Sequence, residues 1–114
     1  MTPAFIEEWA SHPRPVPASF LADQRAHLAA LPQAVWQQTF DELAKADIGA
    51  VLAHIAQPTL ILWGARDRLL DTAQRDRLHA AIANARLVVI DDAGHNPSSA
   101  TPERVVAEIR SFAG

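Results

Sequence analysis

Cysteine is absent from this 114-residue chain. That absence removes disulfides, thiolate metal sites and a cysteine nucleophile together. Glycine is nearly as scarce, occurring only at Gly49, Gly64, Gly94 and Gly114. No Gly-x-Ser-x-Gly turn, the strained elbow that presents a nucleophilic serine, can therefore exist within these residues. There is no basic cluster to neutralise phosphates, and ten basic residues against thirteen acidic ones leave a net charge of −3. This balance argues against a nucleic-acid partner. No apolar run approaches bilayer-spanning length, and the N-terminal stretch with Glu7, Glu8, His12 and Arg14 lacks the apolar centre of a secretory leader. The expectation is a soluble, cytoplasmic protein with no membrane partner. His12, His27, His54 and His79 fall into neither Glu-x-x-His nor His-x-x-x-His spacing, so no metal site is expected.

What remains is an ordinary globular composition, 49% hydrophobic and 20% charged. It suits one modest domain, short for a complete α/β enzyme. The chain has two textures. Residues 1–57 read as helices separated by proline-rich joints. Thr2 and Pro3 suit an N-cap and first helical position, with Phe5, Ile6 and Trp9 on one side of a short helix. Pro13, Pro15 and Pro17 interrupt regular structure. A second helix is predicted from Ser19 to Leu31, with Phe20, Leu28 and Leu31 as its apolar stripe. Pro32 opens a third, whose Val35, Trp36, Phe40 and Leu43 recur at helical spacing. Gly49 is read as a terminator, followed by a linker holding Val51, Leu52 and Ile55.

Residues 58–114 read as strand, helix, strand, helix. Thr59 to Trp63 is an uninterrupted apolar run, too short between Pro58 and Gly64 for a buried helix, and suits a parallel strand buried on both faces. Asp71 with Gln74 forms a capping-box pattern for a helix burying Leu78, Ala81 and Ile82. Leu87 to Ile90 is the second strand, completing a right-handed βαβ unit. Thr101 as N-cap, Pro102 at the first position and Glu103 near the positive end start the last helix, with Val105, Ile109 and Phe112 facing the sheet. Asp67 follows the first strand and His95 the second, at the strand ends where open parallel sheets place their chemistry.

The ordered set Ile55 to Asp67 (with Trp63-Gly64-Ala65-Arg66-Asp67), Ala93-Gly94-His95, and Pro102 to Phe112 resembles the C-terminal part of the α/β-hydrolase fold family. The first half is similar to the end of the helical cap that many of these enzymes insert before their last strands. The Val16-Pro17 joint, the helix after Pro32 and Asp47 ahead of the linker carry that likeness. The resemblance implies an α/β class and a partial α/β-hydrolase fold, cap-like helices at 1–57 and a β-α-β-α unit with two parallel strands at 58–114. It implies Asp67 as triad acid and His95 as general base, for hydrolysis of an ester, lactone, C–C or similar bond, with no cofactor. The family's nucleophile and oxyanion donors are missing, so the isolated chain is expected to be an inactive fragment whose nucleophile lies upstream of Met1. A small-molecule substrate is implied once that part is supplied.

Each candidate has a plainer reading. Asp67 is also a common turn residue after glycine. Gly94 is read as allowing a sharp turn without a Cβ. Trp36 and Phe40, with Trp9, are candidates for lining a substrate pocket, although aromatics at helical spacing are more often core. Ser98 and Ser99 read as polar loop residues, and Asp91 and Asp92 as turn or solvent residues. Two other functions stay open. The chain could be a non-catalytic binding or assembly module, self-associating through an exposed sheet edge. It could also be one half of a complemented hydrolase.

Overall fold

A computed structural model describes residues 2–10 and 12–114, apart from the side chain of Glu8. The contacts divide the chain into two units, Met1–Ser11 with Val16–Asp47, and His12–Pro15 with Ile48–Gly114.

The first unit is helical: α1 (Pro3–Trp9), α2 (Ala18–Ala30) and α3 (Gln33–Lys45). Thr2 caps α1 through its Oγ1, which accepts from the Phe5 N–H at 3.3 Å. Pro17 and Pro32 occupy the N-cap positions of α2 and α3 in extended geometry. Their fixed φ suits a chain entering a helix, and neither can offer a side-chain acceptor to it. Phe5, Trp9, Trp36 and Phe40 form the aromatic centre. Phe5 stacks on Trp9 with ring centroids 5.6 Å apart, and Trp36 on Phe40 at 5.8 Å. The two stacks meet edge to face, the arrangement the ring quadrupoles favour. The stripe expected on α2 is not core, since Phe20 and Leu31 stay exposed. With Leu28 they line an apolar pocket of about 630 Å³.

The second unit contains α4 (Gly49–Leu52), β1 (Thr59–Gly64), α5 (Thr72–Ala81), β2 (Ala85–Ile90), α6 (Pro97–Ala100) and α7 (Pro102–Ala113). Gly49 does not terminate α3, which closes at Ala46 through bonds to the Glu42 and Leu43 carbonyls. It opens the short α4 instead, with Ile48 as N-cap. β1 and β2 pair in parallel from Thr59↔Ala85 to Gly64↔Ile90. Asn84 sets the start of this register: its side-chain amide donates to the Ala56 carbonyl at 2.7 Å, and its own carbonyl accepts from the Thr59 N–H. The strands are not closed evenly on both faces. On β1, Ile61 and Trp63 are buried on one face and Leu60 and Leu62 half-buried on the other, while Val89, the register partner of Trp63, is exposed.

The capping box of α5 is complete. Asp71 Oδ1 accepts from the Gln74 N–H at 2.7 Å, and Gln74 Oε1 accepts from the Asp71 N–H at 3.0 Å. Ile82, just past α5, is buried.

At the last helix Thr101, Pro102 and Glu103 take the positions expected, but the cap bond and the covered stripe differ. Thr101 stands at the N-cap position of α7 but makes no side-chain cap. It is buried and its hydroxyl donates backwards to the Pro97 carbonyl at 3.0 Å. This happens because residues 97–100, expected as loop, form α6 and leave a helical carbonyl within reach. The covered stripe of α7 is Val105, Glu108 and Phe112 rather than Val105, Ile109 and Phe112, since Ile109 is half exposed. Glu108 tolerates its covered position because Arg104 and Arg86 neutralise its carboxylate at 2.8 and 3.3 Å, as a buried charge requires.

Candidate active site

The parallel register ends β1 and β2 side by side, so the chain leaves both strands at the same edge. Beyond that edge the two loops are stitched by backbone. The Ala65 N–H donates to the Ile90 carbonyl and the Arg66 N–H to the Ala93 carbonyl, each at 2.9 Å. Gly64 allows the approach: a Cβ there would lie 2.5 Å from the Ala93 carbonyl oxygen and closer still to that of Gly94. Gly94 was expected to supply a sharp turn, yet no glycine has positive φ among the described residues. Its missing Cβ instead makes room for the Pro13 ring, whose Cδ would be 3.0 Å away.

This stitching brings Asp67 and His95 together. His95 Nδ1 lies 2.9 Å from Asp67 Oδ2. The other oxygen, Oδ1, accepts from the Leu69 and Leu70 N–H groups at 2.8 and 3.1 Å. Asp67 therefore makes the turn its residue type suits and also faces the histidine. Its side chain is only 5% exposed, that of His95 33%. Burial alone would raise the Asp67 pKa, but the hydrogen bonds from His95, Leu69 and Leu70 and the attraction of the imidazole outweigh it and hold the group below its ordinary value. An ionised carboxylate only accepts, so the hydrogen between the two residues belongs to His95 Nδ1.

Trp36 and Phe40 belong to the aromatic centre of the helical unit. Ser98 and Ser99 are part of α6, not a loop. Asp71 is used as a cap. Asp92 pairs with Arg14 at 3.0 Å. The two amides that hold Oδ1 escaped sequence reasoning. An Asp followed two and three residues later by free backbone donors is the Asx-turn pattern that could have shown them.

A family model described as alpha/beta hydrolase fold matches residues 7–99. The chain belongs to this family. Its α/β-hydrolase relatives include a pimeloyl-[acyl-carrier protein] methyl ester esterase of Neisseria meningitidis, 32% identical over 81 residues that make up 71% of this chain and 31% of that protein. The chain thus spans less than a third of that relative's length. Among solved structures, an esterase from Exiguobacterium antarcticum superposes with a TM-score of 0.84 at 20% identity, over 96% of this chain and 42% of that one. That likeness concerns the fold. A hydrolase from Pseudomonas aeruginosa gives 0.76 at 28% identity, over 100% and 40%. The α/β class and the partial α/β-hydrolase fold with two parallel strands stand as expected from the sequence.

Among the described residues of this hydrolase-fold chain, no group of three or more metal-ligating side chains could hold an ion. No helix among them is long and apolar enough to cross a membrane.

Proposed function

We propose that the chain is the acid-and-base portion of an α/β hydrolase, acting on an ester or a chemically similar bond and inactive without a nucleophile from the rest of the fold. The 2.9 Å contact between His95 Nδ1 and Asp67 Oδ2 carries this reading. A carboxylate that accepts from Nδ1 fixes the imidazole tautomer and orientation, and makes Nε2 the nitrogen that takes a proton. In the reaction proposed, His95 Nε2 accepts the proton of the nucleophile as it attacks the substrate carbonyl. It returns that proton to the leaving group, then deprotonates the water that attacks the covalent intermediate and passes that proton to the nucleophile as it is released. Asp67 stays ionised throughout and stabilises the imidazolium. No cofactor enters these steps. The methyl ester esterase among the relatives supports an ester, and a lactone-degrading enzyme among the solved structures, 28% identical, supports a lactone as the similar bond. Trp36 and Phe40 are the proposed substrate-facing aromatics of the cap-like helices.

The need for completion is supported by the surface around the sheet. Val89 on β2 and Val106 and Ile109 on α7 are 37%, 44% and 49% exposed, apolar side chains that further strands or helices of the fold would cover. The same surface supports a second reading, self-association of the chain through its open sheet.

The test is hydrolysis of an activated ester by the purified chain, alone and co-expressed with the nucleophile-bearing part of a related hydrolase. The chain alone should show no turnover above the uncatalysed rate. The completed enzyme should turn over, and His95→Ala should lower its rate by at least about a thousandfold. Turnover that survives His95→Ala would sink the role given to this histidine.

A further inference from the structure

Residues 12–15 group with the second unit although the chain on either side of them belongs to the first. Their contacts converge on the loop that carries His95. The Pro13 ring lies over Gly94, with Cδ and Cγ 3.0 and 3.4 Å from where a Cβ would stand. One guanidinium nitrogen of Arg14 reaches Asp92 Oδ2 at 3.0 Å and Glu103 Oε1 at 3.7 Å. Asp92 and Gly94 precede His95, while Glu103 lies in the first turn of α7, beyond α6. The loop is thus gripped on both sides of the histidine.

From these contacts we propose that Pro13-Arg14-Pro15 is a positioning strap for His95, a role that rests on reading His95 as the general base. The His95 loop is tied to the β1 loop by the Arg66 N–H bond to the Ala93 carbonyl and by the Asp67 contact. Those two contacts fix where Ala93 and the imidazole sit, but they leave Asp91, Asp92 and the chain leading to α7 to their own turn. The strap supplies the second anchor. Its composition fits the task. Proline at 13 and 15 fixes φ at both positions and restricts Arg14 between them, so less backbone entropy is lost when the arginine docks. A planar guanidinium can engage carboxylates from two elements, as a lysine ammonium does less well. Arg14, Asp92 and Glu103 side chains are 42%, 49% and 69% exposed, which limits each pair to a modest bias of a local equilibrium, about two- to fivefold. Arg14 therefore does not hold the unit together. It narrows the positions open to a loop that is already folded.

The experiment follows the His95 Nδ1–H proton of the 114-residue chain by NMR and measures its exchange with water. Arg14→Ala and Asp92→Asn should each speed that exchange about two- to fivefold, and the double variant no further than Arg14→Ala alone, because Arg14→Ala already removes the Asp92 pair along with the Glu103 one. Arg14→Lys should recover part of the protection. Arg25→Ala, which breaks the 2.7 Å Arg25–Glu7 pair of the helical unit, should leave it unchanged, as should the β1 amides of Ile61 and Trp63 in every variant. Unchanged exchange in both Arg14→Ala and Asp92→Asn overturns the strap, and so does a uniform rise that includes the β1 amides. Asp67→Asn separates the two readings: it must shift the His95 proton resonance. If it does not, the Asp67–His95 pair fails; if it does while Arg14→Ala changes nothing, only the strap fails.

Discussion

Gly64, the last residue of β1, lies directly against the backbone of Gly94, so that a Cβ on Gly64 would collide with the Gly94 carbonyl oxygen and stand 2.7 Å from the Ala93 carbonyl carbon. The obstacles are main-chain atoms of the loop that presents His95, and they cannot rotate aside. Gly64→Ala must move that loop or break the Arg66 bond to Ala93. It should cost at least about 2–3 kcal/mol, the upper range for overpacking, and shift the His95 resonances. Gly94→Ala meets only the edge of the Pro13 ring and should cost less. Urea denaturation of the two variants, compared at equal slope, measures the difference.

The lowered Asp67 pKa predicts a particular acid response. Its folded-state value lies below its unfolded value of about 3.9, so the stabilisation is complete above the unfolded value. It is lost as pH falls through the folded one. Asp67→Asn keeps the shape but removes this titration. It should cost about 1–3 kcal/mol at neutral pH, the range for hydrogen bonds to a charged group. The gap to wild type should narrow as pH falls from the unfolded value through the lower folded one. A gap that stays constant over that range would show that the His95 and amide bonds do not favour the ionised carboxylate.

Local chemistry marked much of this fold in the sequence, and distance hid the rest. Pro58 and Gly64 bracket an apolar run that could only be a strand, and Asp71 with Gln74 names its own capping box. Placing Asp67 and His95 after parallel neighbours is enough to bring them within 2.9 Å. The contacts that refine the site leave no such trace. Arg14 meets Asp92 across 78 residues, and nothing in either neighbourhood announces it. Gly64 matters because another strand's loop crosses it, which a local reading of glycine as a turn former misassigns to Gly94. The side-chain bond of Thr101 and the place of Gly49 differ from their local reading for a related reason. Threonine before proline and glycine after a helix have strong local meanings, and here the neighbouring short helices α6 and α4 override them.

Thr101 offers a clean test of that override. Its hydroxyl donates to the Pro97 carbonyl, which also accepts from the Thr101 N–H at 2.8 Å. Thr101→Val removes the hydroxyl while the carbonyl keeps one partner and the volume stays filled, so the loss should be about 1 kcal/mol. Thr101→Ala also opens space in a site only 1% exposed and should cost about 1 kcal/mol more. If the Thr101 side chain capped α7, Thr101→Asn would be tolerated; with the hydroxyl turned back into α6, Asn should destabilise more than Val. Thermal unfolding of the three variants ranks them.

The aromatic centre of the helical unit can be dissected in the same way. Trp36 and Phe40 are one helical turn apart and stack at 18° between ring planes, while Phe5 and Trp9 stack at 22° and present edges to them. Neither Trp36 nor Phe40 is fully buried, and Phe40 is 38% exposed. Trp36→Ala should therefore cost about 2–3 kcal/mol, below the range for fully buried rings, and Phe40→Ala less. The double variant should lose about 1 kcal/mol less than the sum, because the stacking interaction is counted in both single changes. Trp63 lies in β1 of the other unit and is buried, so in a Trp9→Phe background, where Trp36→Ala leaves it as the one tryptophan, its fluorescence is a built-in control. If Trp36→Ala loosens only the helical unit, the Trp63 emission maximum stays where it was while the near-UV dichroism of the aromatic centre falls. A red shift of Trp63 in that variant would show that the two units unfold together.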